Sequence, residues 1–344
     1  MPEPVLIDGS EGEGGGQVLR TSLALSLITG RPVRITNVRA RRRNPGLQAQ
    51  HLAAVHAAAL ISGASVEGAR PGSKEVAFSP TAARPGEYHV DIGTAGAVAL
   101  VIQTMVLPLA FQRSASTLRV TGGTSVPFSP STQYLQMIWA PAVARLGVSV
   151  TIGQSRAGYY PRGGGEVVAT VEPTRGPLAG LIAEERGALA GVTVWSYTSG
   201  LPEHVGRRQA GRARERLAEV VPSVETREVE LPSAGQGTQV LVVARYAAAH
   251  AGFLALGERG LPAERVADAA CDAFLDHHRA EGAIEPHLAD QLLLPLALAA
   301  DPSRYTVSRV TGHLLTSADV IRRFLPRPIH VEGDEGGPGR VIVT

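Results

Sequence analysis

The chain has 344 residues, of which 44% are hydrophobic and 19% are charged. This length and apolar content allow more than one domain with its own core, and a net charge of only +2 excludes a polyelectrolyte tail. A single cysteine, Cys271, excludes an internal disulfide, and the longest apolar run, residues 97–111, is too short to cross a bilayer. The first residues lack a signal-peptide pattern, so we expect a cytoplasmic globular protein with no membrane partner.

Hydrophobic periodicity predicts a similar order of elements three times along the chain. The first unit is predicted to have strands at residues 5–7, 33–38, 65–67 and 75–78 and helices at 17–29 and 45–62. The second has strands at 88–92, 117–121, 148–152 and 166–171 and helices at 94–111 and 131–146. The third has strands at 178–182, 304–307, 329–331 and 340–343 and helices at 285–300 and 316–324. We therefore expect an α/β (α+β) fold of three repeats, each a four-stranded sheet covered by two helices.

The third unit is interrupted by a long segment with its own periodicity. Its predicted strands are residues 192–197, 224–230, 238–244 and 253–256, and its predicted helices are 203–220 and 262–280. We expect a three-repeat core at residues 1–186 and 281–344 and an inserted α/β domain at 187–280. The first insert helix is rich in arginine, which fits either a nucleic-acid contact or a solvated face balanced by Glu203, Glu215 and Glu219, and the second interpretation is favoured.

A glycine-rich stretch, residues 8–20, joins the first strand to the first helix. Glycine allows bare N–H groups to approach a ligand, and a helix start adds partial positive charge, so a phosphate cradle is one interpretation. The stretch lacks the Gly-Lys-Ser/Thr of a Walker A loop, and Glu11 and Glu13 would repel a phosphate unless a cation lay between them. A turn whose glycines serve only the backbone is the alternative.

Arginines cluster at residues 39–43, immediately before Pro45. Proline suits the first turn of a helix, so we expect the arginines to lie beside a helix N-terminus and to attract phosphate. Gln50 and His51 then fall in the early turns of that helix. The alternative is a solubilising loop, and the phosphate interpretation is the favoured one.

Three later segments could carry chemistry. A second glycine cluster, residues 158–166, fits a long turn as well as a ligand loop. Asp290 and Gln291 lie early in an otherwise apolar helix, where an acid commonly complements the helix dipole. His313 follows a glycine on a predicted loop, with Thr316 or Ser317 as the expected N-cap of the last helix, and its imidazole could act as a nucleophile toward phosphorus.

Five segments in order resemble the signatures of the RNA 3′-terminal phosphate cyclases. These segments are residues 8–20, 42–51, 160–167, 288–292 and 312–316. The resemblance covers nearly the whole chain and is weakest in the insert. It implies three βαβαββ-like repeats with a small inserted thioredoxin-like domain, which agrees with the periodicity.

The resemblance also implies a reaction. A histidine takes AMP from ATP, AMP passes to an RNA 3′-phosphate, and the neighbouring 2′-OH displaces AMP to close a 2′,3′-cyclic phosphate. His313 matches the nucleophile and Glu13 the ligand of Mg²⁺ or Mn²⁺. Residues that match phosphate-binding positions are Arg20, Arg39, Arg42, Gln50 and His51. Residues that match nucleotide-binding positions are Gln103, Pro130, His287, Leu288, Ala289, Asp290 and Gln291.

The sequence departs from the family pattern at a few positions. His287 stands where tyrosine is common, Ser317 where asparagine is common, Ala157 where a basic residue is frequent, and Ser125 with Val126 where Asp-Asn is frequent. The family also implies RNA with a 3′-phosphate end as the partner and leaves a homodimer open.

Two other functions share the fold with the enzyme. A non-catalytic RNA-binding factor in ribosomal RNA processing would lack the histidine that matches His313. An enolpyruvyl-transferase-like enzyme is supported only by the repeat architecture, and fold alone does not fix function. The presence of His313 therefore favours the enzyme.

Overall fold

The computed structural model describes residues 3–221 and 223–344, so positions 1, 2 and 222 of the predicted domains lie outside the described range. The described chain forms a mixed α/β architecture with four separate four-stranded sheets and helices packed on them. The predicted α/β class is confirmed. Within the described residues, no helix has the length and apolarity needed to cross a membrane.

The first sheet comes from the start of the chain. Its strands are β1 (Val5–Asp8), β2 (Val33–Thr36), β3 (Ser65–Glu67) and β4 (Val76–Ser79), and its helices are α1 (Gly16–Thr29) and α2 (Ala49–Ser62). β1 runs parallel to β2, and β4 is antiparallel to both β2 and β3, which gives the order β1-β2-β4-β3. Alternate residues of β1 and β2 are buried, because one face of the sheet is covered by the helices.

The second sheet repeats this arrangement. Its strands are β5 (Glu87–Asp91), β6 (Ser116–Gly122), β7 (Val150–Arg156) and β8 (Gly165–Val171), in the order β5-β6-β8-β7. Its helices are α3 (Val98–Ala110), α4 (Thr132–Tyr134) and α5 (Ala140–Ala144), and the π turn Leu135–Trp139 joins the last two. β5 is again parallel to β6, and β8 is antiparallel to β6 and β7.

The following segment begins with β9 (Ile182–Ala183) and then builds a sheet of its own. The elements of that sheet are β10 (Leu189–Ser199), α6 (Glu203–Leu217), β11 (Val224–Glu230), β12 (Gly237–Tyr246), β13 (His250–Leu256) and α7 (Ala263–Arg279). The strand order is β11-β10-β12-β13, and α6 and α7 bury a separate apolar cluster against it. Gln239 Nε2 donates to Gln133 Oε1 at 2.7 Å, which ties this sheet to α4.

The last sheet contains β9 and the C-terminal strands. The remaining elements are α8 (Pro286–Ala297), β14 (Ser303–Val307), α9 (Gly312–Phe324), β15 (Ile329–Glu332) and β16 (Gly339–Val343). The sheet order is β15-β16-β14-β9, with β9 parallel to β14 and β16 antiparallel to β14 and β15. α1 packs against α2, α3 and α9. The glycine-rich stretch before α1 is therefore brought next to the first turn of α9.

The helix predicted from residue 45 begins later than expected. α2 starts at Ala49 with Gln48 as its N-cap. The backbone before it pairs elsewhere: Gly46 N–H donates to Val38 O at 2.8 Å and Leu47 N–H to Ser73 O at 2.9 Å. Gly46 has a φ of +80° and lies against the Gly72 carbonyl, so a Cβ would not fit there. The prediction that the arginine loop adjoins a proline-started helix is therefore wrong.

The last helix begins earlier than expected. α9 starts at Gly312, because the side chain of Thr311 accepts a hydrogen bond from Leu314 N–H at 3.1 Å and caps the helix. Thr316 and Ser317 are both buried residues within the helix. The predicted N-cap at these two positions is wrong, and His313 lies in the first helical turn rather than on a loop.

Candidate active site

A cavity of about 1870 Å³ opens between the helices of the first, second and last sheets and the sheet of β10–β13. It is lined by nearly all the residues that the sequence singles out: Glu13, Arg20, Arg39, Arg42, Gln50, His51, Gln103, Pro130, His287, Asp290, Gln291 and His313. Leu288 and Ala289 do not line it, and their side chains are buried in the apolar core beneath α8. The cavity therefore gathers parts of all five sequence motifs.

His313 is held through one nitrogen of its ring. Nδ1 forms a hydrogen bond with Gln17 Oε1 and lies 2.8 Å from Glu13 Oε2. Both neighbouring atoms are acceptors, so the proton of the neutral ring resides on Nδ1. Within residues 3–221 and 223–344, no group hydrogen-bonds to Nε2. The arrangement therefore leaves the lone pair of Nε2 available on the cavity side.

The electrostatic environment keeps this imidazole neutral. Burial lowers the pKa of His313 below its usual value, the negative charge of Asp290 opposes this shift, and the positive charges of Arg20 and Arg42 add to it. The position in the first turn of α9 acts in the same direction, because a helix N-terminus disfavours a cation. A neutral ring at neutral pH is the form that can act as a nucleophile.

Gln17 connects the histidine to two further helices. Its Nε2 donates to Asp290 Oδ2 at 3.0 Å on α8 and to Ser317 Oγ on α9, which leaves Oε1 to face His313. The side chain is 8% exposed, so its hydrogen bonds are shielded from water. Because its donors and acceptor are all used, the orientation of the amide is fixed, and with it the tautomer of His313.

Glu13 is the second residue that touches His313. Its Oε1 pairs with Arg42 Nη2, and its backbone N–H donates to Thr316 Oγ1 at 3.0 Å. Oε2 is buried and lies 2.8 Å from His313 Nδ1, without the geometry of a well-directed hydrogen bond. No group of three or more His, Cys, Asp or Glu side chains is arranged to hold a metal ion in the described part of the chain. The expected metal site at Glu13 is therefore not supported.

His51 and Arg20 form another wall of the cavity. His51 Nδ1 accepts a hydrogen bond from Gln48 N–H at 3.3 Å, so the ring proton lies on Nε2. Burial, followed by the charges of Arg20 and Arg39, lowers the pKa of His51 to about 3. A Cβ at Gly16 would collide with His51 Nε2, which explains one glycine of the stretch. Burial also lowers the pKa of Arg20 to about 10, which leaves it charged at neutral pH.

Arg39 and Gln50 make structural contacts as well as lining the cavity. Arg39 has a φ of +56°, and its Nη1 donates to Asn44 O at 2.6 Å and Gly46 O at 2.9 Å. Gln50 Oε1 accepts a hydrogen bond from Ala97 N–H at 3.1 Å, which links α2 to the start of α3. Both side chains are held in place before any ligand is present, with donors left over for an anion.

The cavity wall at α3 and α8 is amide-rich. Gln103 Nε2 donates to Gln291 Oε1 at 2.8 Å across the two helices. Exposed His287 lies on the same wall, and Asp290 follows one turn later on α8. Burial raises the pKa of Asp290 to about 6, so its carboxylate is charged at neutral pH.

Comparison with known proteins identifies the chain. A family model for RNA 3′-terminal phosphate cyclase matches residues 11–331. The chain belongs to the RNA 3′-terminal phosphate cyclase family. Members of this name include a protein from Methylococcus capsulatus, 46% identical over 98% of this chain and 95% of the relative. Another, from Thermococcus onnurineus, is 44% identical over 99% of both chains. The resemblance stated from the five motifs is confirmed.

The matches to solved structures include one enzyme of another class. It is the enolpyruvyl transferase NikO from Streptomyces tendae, with 18% sequence identity and a TM-score of 0.28 over 49% of this chain and 33% of that chain. A likeness this weak supports no statement about fold or function.

In this cyclase-family chain, the sequence-based predictions do not include three polar residues of the site. The sequence pattern predicts Gln17 only as the start of a helix, although a glutamine directly after a glycine run is a usable signal. Glu285 is 0% exposed and caps α8 by accepting from His287 N–H at 2.7 Å and Leu288 N–H at 3.0 Å. Tyr134 O–H donates to Glu285 Oε1. This last contact joins residues far apart in the chain, and no local pattern indicates it.

Proposed function

We propose that this chain converts an RNA 3′-terminal phosphate to a 2′,3′-cyclic phosphate, using ATP and a covalent His313–AMP intermediate. Family membership supports the enzyme class. The observation that carries the mechanism is the environment of His313: Nδ1 engaged by Gln17 and Glu13, and Nε2 left without a partner among the described residues.

The first step forms a bond between nitrogen and phosphorus. The lone pair of His313 Nε2 attacks the α-phosphorus of ATP, the bond from that phosphorus to the β-phosphate oxygen breaks, and pyrophosphate leaves. The ring then carries a positive charge, because Nδ1 keeps its proton. Glu13 Oε2, 2.8 Å from Nδ1, stabilises that charge as it develops.

The later steps transfer AMP and close the ring. An oxygen of the RNA 3′-phosphate attacks the phosphorus of the adduct, and the bond to Nε2 breaks with its electrons returning to neutral His313. The 2′-OH then attacks the 3′-phosphorus, AMP leaves, and the hydroxyl proton passes to solvent. Adenylylation is needed because a terminal phosphate has no good leaving group of its own.

Hydrogen-bond donors that line the same cavity as His313 suit the RNA phosphate. Arg20 is charged and half-buried, Arg42 lies beside Glu13, and the neutral ring of His51 offers an Nε2–H donor. Arginine donors match phosphate oxygens in pairs, and the low polarity of a partly closed cavity strengthens them. We propose that these residues bind the 3′-phosphate, with Gln103, Pro130, His287, Asp290 and Gln291 as the nucleotide wall.

We propose that Mg²⁺ or Mn²⁺ enters as its complex with ATP rather than in a site of the chain alone. Glu13 is a single carboxylate already paired with Arg42, which supports binding of the metal together with ATP rather than by the protein alone. Equilibrium dialysis of Mn²⁺ should then show stoichiometric uptake only when a nucleotide is present. Tight uptake by the protein alone would contradict it.

The decisive experiment is adduct formation with α-labelled ATP. We expect an acid-labile, alkali-stable protein–AMP adduct in the wild type and none in His313→Ala. His330→Ala is the matched control, because His330 is an exposed histidine on β15 outside the cavity, and it should keep full labelling. Label that persists in His313→Ala would overturn the nucleophile assignment.

We further propose that the three like-ordered sheets are repeats of one βαβαββ-like unit and that residues 187–280 form a thioredoxin-like insert. The common strand order and the separate apolar cluster of the fourth sheet support this. Expression of residues 187–280 alone tests the insert, since a domain with its own core should unfold cooperatively.

A further inference from the structure

Two aromatic side chains stand exposed at the mouth of the cavity. The ring of Phe128 is fully exposed, and Tyr160 is 72% exposed. Both residues line the cavity. Neither has a role in the adenylylation chemistry described above. Covering an exposed aromatic ring removes apolar surface from water and is favourable. Two such rings at one opening therefore indicate a binding site for a ligand that covers them.

The two rings belong to loops that are joined side by side. Gly158 O accepts hydrogen bonds from Thr124 N–H at 2.8 Å and Ser125 N–H at 3.2 Å, and Ser125 and Tyr159 form a parallel β-bridge. Each loop also has a buried anchor next to its exposed ring. Val126 is 5% exposed, and Tyr159 is 6% exposed with its O–H 3.2 Å from Ser199 Oγ. The backbone that carries the rings is therefore fixed.

Phe128 is held outward by an unusual backbone conformation. Its φ is +63°, in the left-handed region that bulky side chains rarely adopt. Glycine or asparagine would occupy this position with less strain. A bulky aromatic residue kept there, pointing into solvent at a cavity mouth, does not serve local folding, and strained positions of this kind cluster at ligand sites.

We propose that Phe128 and Tyr160 form a stacking platform for a nucleobase of the RNA near its 3′ end. The proposal rests on the proposed function, because it takes the cavity as the site of the RNA 3′-phosphate. An aromatic ring offers its face to any base, so the platform binds RNA without selecting its sequence. Single-stranded nucleic acid is commonly bound by such rings together with a basic groove, and Arg42 and Arg43 line the same cavity.

The adenine of ATP is the other base that could reach an aromatic ring here. Its expected wall contains Gln103, His287 and Gln291, which lie on α3 and α8. Pro130, two residues beyond Phe128, is only partly exposed, whereas Phe128 itself is on the open rim. RNA that reaches His313 from solvent across that rim would meet the ring of Phe128, so its exposure favours the RNA base as the partner.

The test measures binding of a short RNA that ends in a 3′-phosphate, with and without a base at each of the last four positions. In the wild type, we expect the abasic change at one position to weaken binding about tenfold, as for the loss of one base stack. Phe128→Ala should weaken binding of the intact RNA by a similar factor and should not respond further to that abasic change. Phe128→Trp should restore the response.

Control measurements separate stacking from other roles. Phe111→Ala removes a partly exposed phenylalanine outside the cavity and should leave RNA binding unchanged. Phe128→Gly should unfold at the wild-type temperature or higher while it loses affinity, which a structural role could not produce. The slope of log Kd against log salt should stay at the wild-type value, because stacking releases no counterions.

Each contrary outcome has a distinct meaning. If abasic RNA binds the wild type as tightly as intact RNA, the platform is wrong even when the His313–AMP adduct forms normally. If Phe128→Ala weakens ATP binding and adduct formation but spares RNA binding, the rings hold adenine and the proposal is overturned. If no adduct forms in the wild type but the base-dependent binding persists, the proposed function fails and the platform stands.

Discussion

The cavity and the α6–α7 surface both concentrate arginines, but they use them differently. On α6, Arg208, Arg212 and Arg216 each pair with an acid of α7, at 2.7, 2.7 and 2.9 Å. Those acids are Glu264, Asp268 and Asp272. Each arginine and each acid recurs every four residues, so the two helix faces match along their length.

The arginines of the cavity have fewer acidic partners than the arginines of α6. Among residues 3–221 and 223–344, Arg42 pairs with the single acid Glu13, which also contacts His313, and Arg39 donates to main-chain carbonyls. Arg20 is partly buried near Asp290. An arginine-rich sequence therefore indicates a binding site only when its partners are few and shared with a reactive group. On α6 the sequence-based preference for a solvated, balanced face agrees with the contacts, although most of the balancing acids come from α7.

Two buried glutamines provide the strongest test of this difference. Gln17→Leu removes the acceptor beside His313 Nδ1, frees the ring to change tautomer, and should slow adduct formation about a hundredfold or more. Gln209, in the insert, accepts from Ser196 Oγ at 2.7 Å and Thr238 Oγ1 at 2.9 Å. Gln209→Leu should lower the free energy of unfolding by about 1–3 kcal/mol and leave adduct formation at the wild-type rate.

Single-turnover labelling and chemical denaturation distinguish the two variants. Equal losses of labelling rate in Gln17→Leu and Gln209→Leu, measured on folded protein, would show that Gln17 acts only through stability.

The arginines themselves provide the next test. Arg42→Ala should weaken binding of RNA with a 3′-phosphate about tenfold and reduce the salt slope of log Kd by about 1, because one phosphate contact is lost. Arg208→Ala, the matched change on α6, should leave both quantities unchanged, since its guanidinium is neutralised by Glu264. Salt titrations of RNA binding measure both. A reduced slope in Arg208→Ala would place RNA on the α6 surface.

Periodicity predicted most of the fold. Strands and helices follow from local patterns of apolar residues, and nearly every predicted element overlaps an observed one. The errors lie at helix starts. α9 begins after Thr311, whose side chain caps it. α2 begins after Gln48, because the residues before it pair with the backbone of Val38 and Ser73. Such pairing is not encoded in a local window.

The candidate site was only partly predicted, and the reason differs from that for the fold. Motifs located Glu13, Arg42 and His313, but not the contacts that give them roles. Gln17 and His313 are separated by 296 positions, and their contact depends on α1 packing against α9. The expected metal at Glu13 is implied by the family resemblance, and it would relieve the repulsion expected between the glutamates of the loop and a phosphate. Neither argument includes Arg42, which approaches from another loop and pairs with the carboxylate.

The pH dependence of adduct formation tests the electrostatics of the cavity. Burial lowers the pKa of His313, so the neutral imidazole should predominate above pH 6.5. The rate of adduct formation should therefore not change with pH in that range. Below the pKa the ring is protonated, and the rate should fall about tenfold per pH unit. Asp290 opposes the lowering, so Asp290→Asn should move the midpoint to lower pH. A midpoint that moves upward would contradict the role of Asp290.

The α6–α7 ladder should give the smallest effect. Arg212 donates to Asp268 Oδ1 at 2.7 Å, but its side chain is 37% exposed, so water can replace the contact when Arg212 is changed to alanine. We expect an unfolding temperature within about 2 °C of the wild type and unchanged labelling by ATP. Differential scanning calorimetry at low and high salt measures the first quantity. A larger drop in the unfolding temperature that high salt abolishes would show that the α6–α7 ion pairs act as one network. Each arginine would then contribute more to stability than an isolated surface ion pair does.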